Sequence, residues 1–95
     1  MGSAPDEELR RSLRGTISSS VGYKVRVESK TCIRYRDDQG RVDLDCEVQA
    51  GPDDVLVLFA QNWPEAWGSL RRVDLINRVT TALEYGGWEV LRSMP

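Results

Sequence analysis

Histidine is absent from all 95 residues, which removes the side chain most often used as a general base near neutral pH and the commonest metal ligand. A catalytic centre would have to be assembled from Asp, Glu, Lys, Tyr or Cys, and no two of these fall in a spacing that marks a catalytic pair. Cysteine is scarce. Cys32 and Cys46 are too few for a disulfide scaffold or a four-thiolate zinc site. The carboxylates of Asp43 and Asp45 alternate along an extended segment instead of wrapping an ion in a D-x-D-x-D-G loop. No metal or cofactor is therefore expected. The longest apolar run, Val55 to Ala60, is far short of the roughly 20 residues that span a bilayer. Residues 1–13 carry Asp6, Glu7 and Glu8 with no apolar segment, so neither a signal peptide nor a membrane anchor is expected and the location is read as cytoplasmic. A net charge of −2 and a pI near 5.1 give no overall pull toward nucleic acid or anionic lipid, although charge can still be segregated locally.

What is present supports one core. A chain of 95 residues with 40% hydrophobic content holds a single compact domain. Eleven arginines against two lysines point to a GC-rich, bacterial-type genome, because arginine codons are mostly GC-rich. The run Val55-Leu56-Val57-Leu58-Phe59-Ala60 suits a central strand covered on both faces.

Around it the chain reads as follows. Leu9, Leu13 and Ile17 recur at i, i+4 and i+8 after the N-cap and acidic signals of Ser3 to Glu8, which predicts a short N-terminal helix limited by Gly15. Ser18, Ser19 and Ser20 then form a flexible link. From Val21 to Tyr35 apolar residues hold the odd positions, which predicts one long strand bent near Ser29. After Asp37 to Gly40 the alternation resumes on the other parity. Matching faces sets Arg36 opposite Arg41, Tyr35 opposite Val42, Arg34 opposite Asp43 and Ile33 opposite Leu44. In that register Cys32 and Cys46 point to opposite faces and stay unbonded. Leu75, Ile76, Val79, Ala82 and Leu83 line one side of a helix from about Val73 to Tyr85, with Ser69 as its N-cap and Gly86-Gly87 as its stop. Trp88 to Arg92 is a last short strand, parallel to its neighbour if joined by a right-handed crossover.

The expected fold is therefore α+β in the order α-β-β-β-α-β: a mainly antiparallel sheet, made of a three-strand β-meander plus a short C-terminal strand, packed on one amphipathic helix. Residues 1–20 form the N-terminal helix and Ser-rich linker, and residues 21–95 the compact domain. The order helix, three strands, helix is shared with double-stranded-RNA-binding domains, but the start of the second helix offers only Arg71 and Arg72, and no family is assigned.

Function is ranked by what each class would need. First stands a non-enzymatic protein-binding module, of the immunity, antitoxin or assembly-adaptor kind, whose partner is another protein. Its candidate contacts are Trp63, Glu65 and Trp67, because aromatic residues on loops are over-represented among binding hot spots. Trp67 is expected to be the exposed member and Trp63 to be drawn into the core. The alternative is a nucleic-acid-binding domain using Lys24, Arg26, Lys30, Arg34 and Arg36, weakened by acidic Asp43, Asp45 and Glu47 expected beside those cations. Third comes a small-ligand binder or enzyme, for which no acid, base and nucleophile converge. A homodimer through a sheet edge is compatible with the pattern.

Overall fold

A computed structural model of the chain describes residues 7–93, and the fold is mostly β. Strands β1 (Leu9–Arg11), β2 (Ile17–Ser19), β3 (Lys24–Ser29), β4 (Cys32–Asp37), β5 (Gly40–Val48) and β6 (Val55–Leu58) are antiparallel neighbours in chain order. A short 3-10 turn, Ala60–Asn62, leads to a small hairpin of β7 (Ala66–Trp67) and β8 (Leu70–Arg71), followed by helix α1 (Arg72–Tyr85). Strand β9 (Glu89–Arg92) then returns parallel to β6, completing a seven-stranded, curled mixed sheet of half-barrel form. This corrects the expected three-strand meander with two helices.

Two corrections produce the extra strands. The expected N-terminal helix is a β-hairpin: Leu9 pairs with Ser19 and Arg11 with Ile17. The Ser12 hydroxyl accepts from the N–H groups of Arg14 and Thr16, at 3.2 and 3.1 Å, and Gly15 turns the chain at φ +85°. A spacing of four satisfies a two-residue period as well as a helical one, so Leu9 and Ile17 share the inner face while Leu13 stands fully exposed at the tip. The start signal at Ser3 lies outside the described residues.

The long bent strand is two strands joined at Lys30-Thr31. Val27 pairs with Ile33 but Ser29 with Cys32, so the ladder gains a residue at Glu28. That β-bulge returns apolar side chains to the core face on both sides of a two-residue turn.

The register of β4 on β5 is the one read from matching faces, from Cys32 opposite Asp45 to Arg36 opposite Arg41, and it extends one pair further to Asp37 and Gly40. Gly40, at φ +122°, closes that turn. Cys46 lies in the core and Cys32 opposite Asp45 on the outer side, both as free thiols.

The run at Val55 sits second from the sheet edge and is fully buried on one face only, by Leu56 and Leu58. Val55 and Val57 are half-buried because a single helix covers only the inner side of the sheet. That helix contributes Leu75, Val79, Ala82 and Leu83 to the same buried cluster as Val25, Ile33, Tyr35, Leu44 and Trp63. Its N-cap is Arg71, not Ser69; the Asp74 carboxylate accepts the Arg71 N–H at 3.1 Å. At the other end Gly87 N–H donates to Glu84 C=O and Trp88 N–H to Leu83 C=O, with Gly87 at φ +96°. This is the Schellman arrangement, in which a glycine takes the left-handed position past the last turn.

Candidate functional site

The residues expected to form an aromatic binding loop are held by the fold in different ways. Trp63 is 2% exposed, and its indole N–H donates to the Asp45 carbonyl at 2.9 Å. Trp67 is half-buried in the β7–β8 hairpin and packs against the core. Its indole N–H donates to Asp37 Oδ1 at 3.0 Å, and Gly68, at φ +62°, lets the hairpin turn close over Gln39. Glu65 is exposed, and its backbone carbonyl accepts the Arg72 N–H. The segment is therefore a short ordered hairpin, not an irregular loop.

Asp37 joins this hairpin to a wider network. Tyr35 donates its hydroxyl to Asp37 Oδ2 at 2.8 Å and accepts from Arg78 Nη1 at 2.9 Å. The Arg78 guanidinium lies 4.9 Å from the centre of the Tyr23 ring, which stacks on Tyr35 at 5.8 Å. Tyr23 donates to Glu7. Burial first, and the hydrogen bond to Asp37 second, push the Tyr35 hydroxyl up to about 12. Burial and then Glu7 raise Tyr23 as well. A cavity of about 310 Å³ opens beside Asp38, Trp67 and Arg78, but the Trp67 N–H and both Asp37 oxygens are already spent on internal partners. The network fastens α1 and the β7–β8 hairpin to the sheet.

The outer face of the sheet differs. Ladder registers place Arg10 opposite Ser18, Ser18 opposite Lys24, Lys24 opposite Arg36 and Arg36 opposite Arg41. The result is one row across five strands with four exposed cations and no carboxylate. At about 4.8 Å per strand the row is about 19 Å long.

In the next row Arg26 lies opposite Arg34, and Arg34 opposite Asp43. There the charges are paired: Arg26 to Glu28 at 3.3 Å, Arg34 to Glu28 at 3.6 Å and Arg34 to Asp43 at 3.1 Å. Among the described residues, no carboxylate pairs with Arg10, Lys24, Arg36 or Arg41. A shallow groove of about 270 Å³ on this face is lined by Lys24, Arg26, Arg34, Arg36 and Arg41 together with the carboxylate Glu28. Asp43, Asp45 and Glu47 continue the same face on β5 toward the other end, so charge is graded along the strands instead of being mutually cancelled.

Of the cations singled out in the sequence, Lys24, Arg26, Arg34 and Arg36 come together, while Lys30 stands at the β3–β4 turn, away from the row. Arg10 and Arg41 were missed. Arg41 could have been found, since its pairing with Arg36 follows from the hairpin register, but Arg10 was hidden by the helical reading of its segment. The asymmetry extends to the whole chain: residues 1–41 contain nine Lys and Arg against six Asp and Glu, and residues 42–95 four against nine.

No group of three or more His, Cys, Asp or Glu among the described residues is arranged to hold a metal ion, and no helix among them is long and apolar enough to cross a membrane. No family model, curated protein or solved structure matches this chain.

Proposed function

We propose that the protein is a non-enzymatic binding module whose partner is another protein, and that it takes an acidic segment of that partner on the outer face of the sheet. The observation that carries this reading is the row Arg10, Lys24, Arg36 and Arg41. Like charges directly opposite each other on a sheet are destabilising. The neighbouring row offsets its own Arg26–Arg34 pair with Glu28 and Asp43, whereas this row carries no carboxylate. An anionic partner offsets the repulsion and gains from it.

The row is one residue wide and flanked on β5 by Asp43, Asp45 and Glu47. A narrow extended chain can lie along the row to one side of those carboxylates, whereas a duplex is broad enough to meet them. No aromatic residue lies in the row to stack an unpaired base, as single-strand binders use. Both points favour an acidic polypeptide over nucleic acid.

The test is a fluorescence anisotropy titration of labelled octaglutamate, about 26 Å when extended and so long enough to cover the row. Binding to the native protein should weaken with added salt and fall at least tenfold in Arg36→Gln/Arg41→Gln. Equal binding by the double variant overturns the reading. A random DNA duplex that binds more tightly than octaglutamate replaces it with the nucleic-acid alternative.

A further inference from the structure

In a helix, the acids at the start and the cations at the end of Glu7-Glu8-Leu9-Arg10-Arg11 would answer the macrodipole. Here these residues are β1 and its approach, and a sheet carries only a small net dipole. The order of charges is antisymmetric about Leu9: reversing the chain direction exchanges every carboxylate for a cation.

β1 is an open edge of the sheet. Ser20 N–H donates to Glu8 C=O and Ser12 N–H to Thr16 C=O. In an antiparallel ladder such hydrogen-bonded pairs alternate with pairs whose polar groups face the other way. Glu8, Arg10 and Ser12 therefore turn their backbone groups toward β2. Glu7, Leu9 and Arg11 turn theirs outward, where they meet no ladder among the described residues. Side chains follow the same alternation: the Glu7 carboxylate accepts from Ser19 and Tyr23, at 2.7 and 2.6 Å, on the inner side with Leu9, while Glu8 and Arg10 are exposed on the outer side.

We propose that β1 pairs antiparallel with β1 of a second copy about a two-fold axis at Leu9, joining the two sheets into one. The proposal stands apart from the acidic-partner reading. Residues directly opposite in an antiparallel pair share a face, so a two-fold register sets one residue of the edge against itself. Centring it on Glu8, Arg10 or Arg11 opposes like charges, which is how charged edges ordinarily keep apart. Centring it on Leu9 sets Leu9 against Leu9, Glu8 against the second copy's Arg10 and Glu7 against the second copy's Arg11, so every flanking pair is one of opposite charge. The Leu9 pair and the Glu7–Arg11 pairs exchange main-chain hydrogen bonds, and the Glu8–Arg10 pairs take the intervening positions, where side chains come closer. Glu8 of the second copy then meets only the Arg10 end of the basic row, and Lys24, Arg36 and Arg41 lie further into the sheet with no opposed carboxylate.

A ladder this short is a small interface, of the kind that associates weakly. Sedimentation velocity of the native protein should therefore show a monomer–dimer equilibrium between about 10 μM and about 1 mM. Glu8→Arg and Arg10→Glu each oppose like charges across the axis and should each weaken the dimer at least tenfold. Mixed together the two variants should associate, because one chain then carries cations at both positions and the other carboxylates at both. Amide hydrogen exchange in the native protein should slow with concentration at Leu9 and Arg11 and not at Arg10, whose N–H already faces β2. A native protein that stays monomeric, single variants that dimerise like the native chain, or single variants whose mixture stays monomeric overturns the inference. A dimer whose added protection falls on β9, the other open edge, overturns it as well.

Discussion

Replacing Arg36 by glutamine should make the protein more stable. Arg36 is exposed and lies opposite Lys24 on one side and Arg41 on the other. A directly opposed like-charge pair costs a few tenths to about 1 kcal/mol. Solvent screening at physiological ionic strength, where the Debye length is about 8 Å, places the two pairs together near the lower part of that range. Glutamine removes the charge and keeps most of the aliphatic stem that covers the sheet.

The net gain expected is about 0.3–0.5 kcal/mol, which for a domain of this size is a rise of about 1–4 °C in Tm. Thermal unfolding followed by far-UV circular dichroism measures it, with Arg36→Lys as the charge-preserving control. In 1 M NaCl, where the Debye length is about 3 Å, the gain should shrink toward zero. An Arg36→Gln protein that melts at or below the native temperature in low salt, or whose gain is independent of salt, refutes the claim that the row is held against its own repulsion.

Trp63→Ala should lose about 3–5 kcal/mol in a urea titration, as for truncating a buried aromatic, and the Asp45 carbonyl it leaves still accepts the Phe59 N–H. Trp67→Phe should cost about 1 kcal/mol, the worth of the hydrogen bond to Asp37; no loss would mean that the β7–β8 hairpin is not fastened by that bond. A thiol reagent at pH 8 should label Cys32 before Cys46, since burial pushes the Cys46 thiol up to about 12 and encloses it, and the denatured protein should show two free thiols. Stability should fall as pH rises above about 9. Cys46, Tyr35 and Tyr23 all keep their protons longer in the folded state than in the unfolded chain, whose thiol and phenols ionise from their ordinary values of 9.0 and 10.0. The unfolded state then binds fewer protons, and the slope of stability against pH is negative until the folded groups ionise. A Tm that holds constant from pH 8 to 11 would contradict this.

Side-chain parity carried the β4–β5 register, because one buried face admits one alignment of Ile33, Tyr35, Leu44 and Val42. The helix stripe from Leu75 to Leu83 and the Gly86-Gly87 stop were readable for the same reason: each signal has a single geometric meaning. Two other signals were degenerate. A four-residue spacing from Leu9 to Ile17 serves a strand as well as a helix, and only the turn made by Ser12 and Gly15 decides between them. The unbroken parity from Val21 to Tyr35 conceals a bulge at Glu28, which restores the alternation on the far side of a turn. A helical reading of β1 takes Arg10 out of register with Lys24, Arg36 and Arg41, so the basic row is legible only once β1 is a strand. Trp63 was readable as core, whereas the bond between Trp67 and Asp37 joins positions 30 residues apart and leaves no local pattern.

Amide chemical shifts of the isotope-labelled protein, recorded as octaglutamate is added, test the central claim most directly. The account predicts that the largest changes fall on Arg10, Lys24, Arg36 and Arg41 and that they are absent in Arg36→Gln/Arg41→Gln. Changes centred on α1 or the β7–β8 hairpin, with the row unmoved, would contradict it.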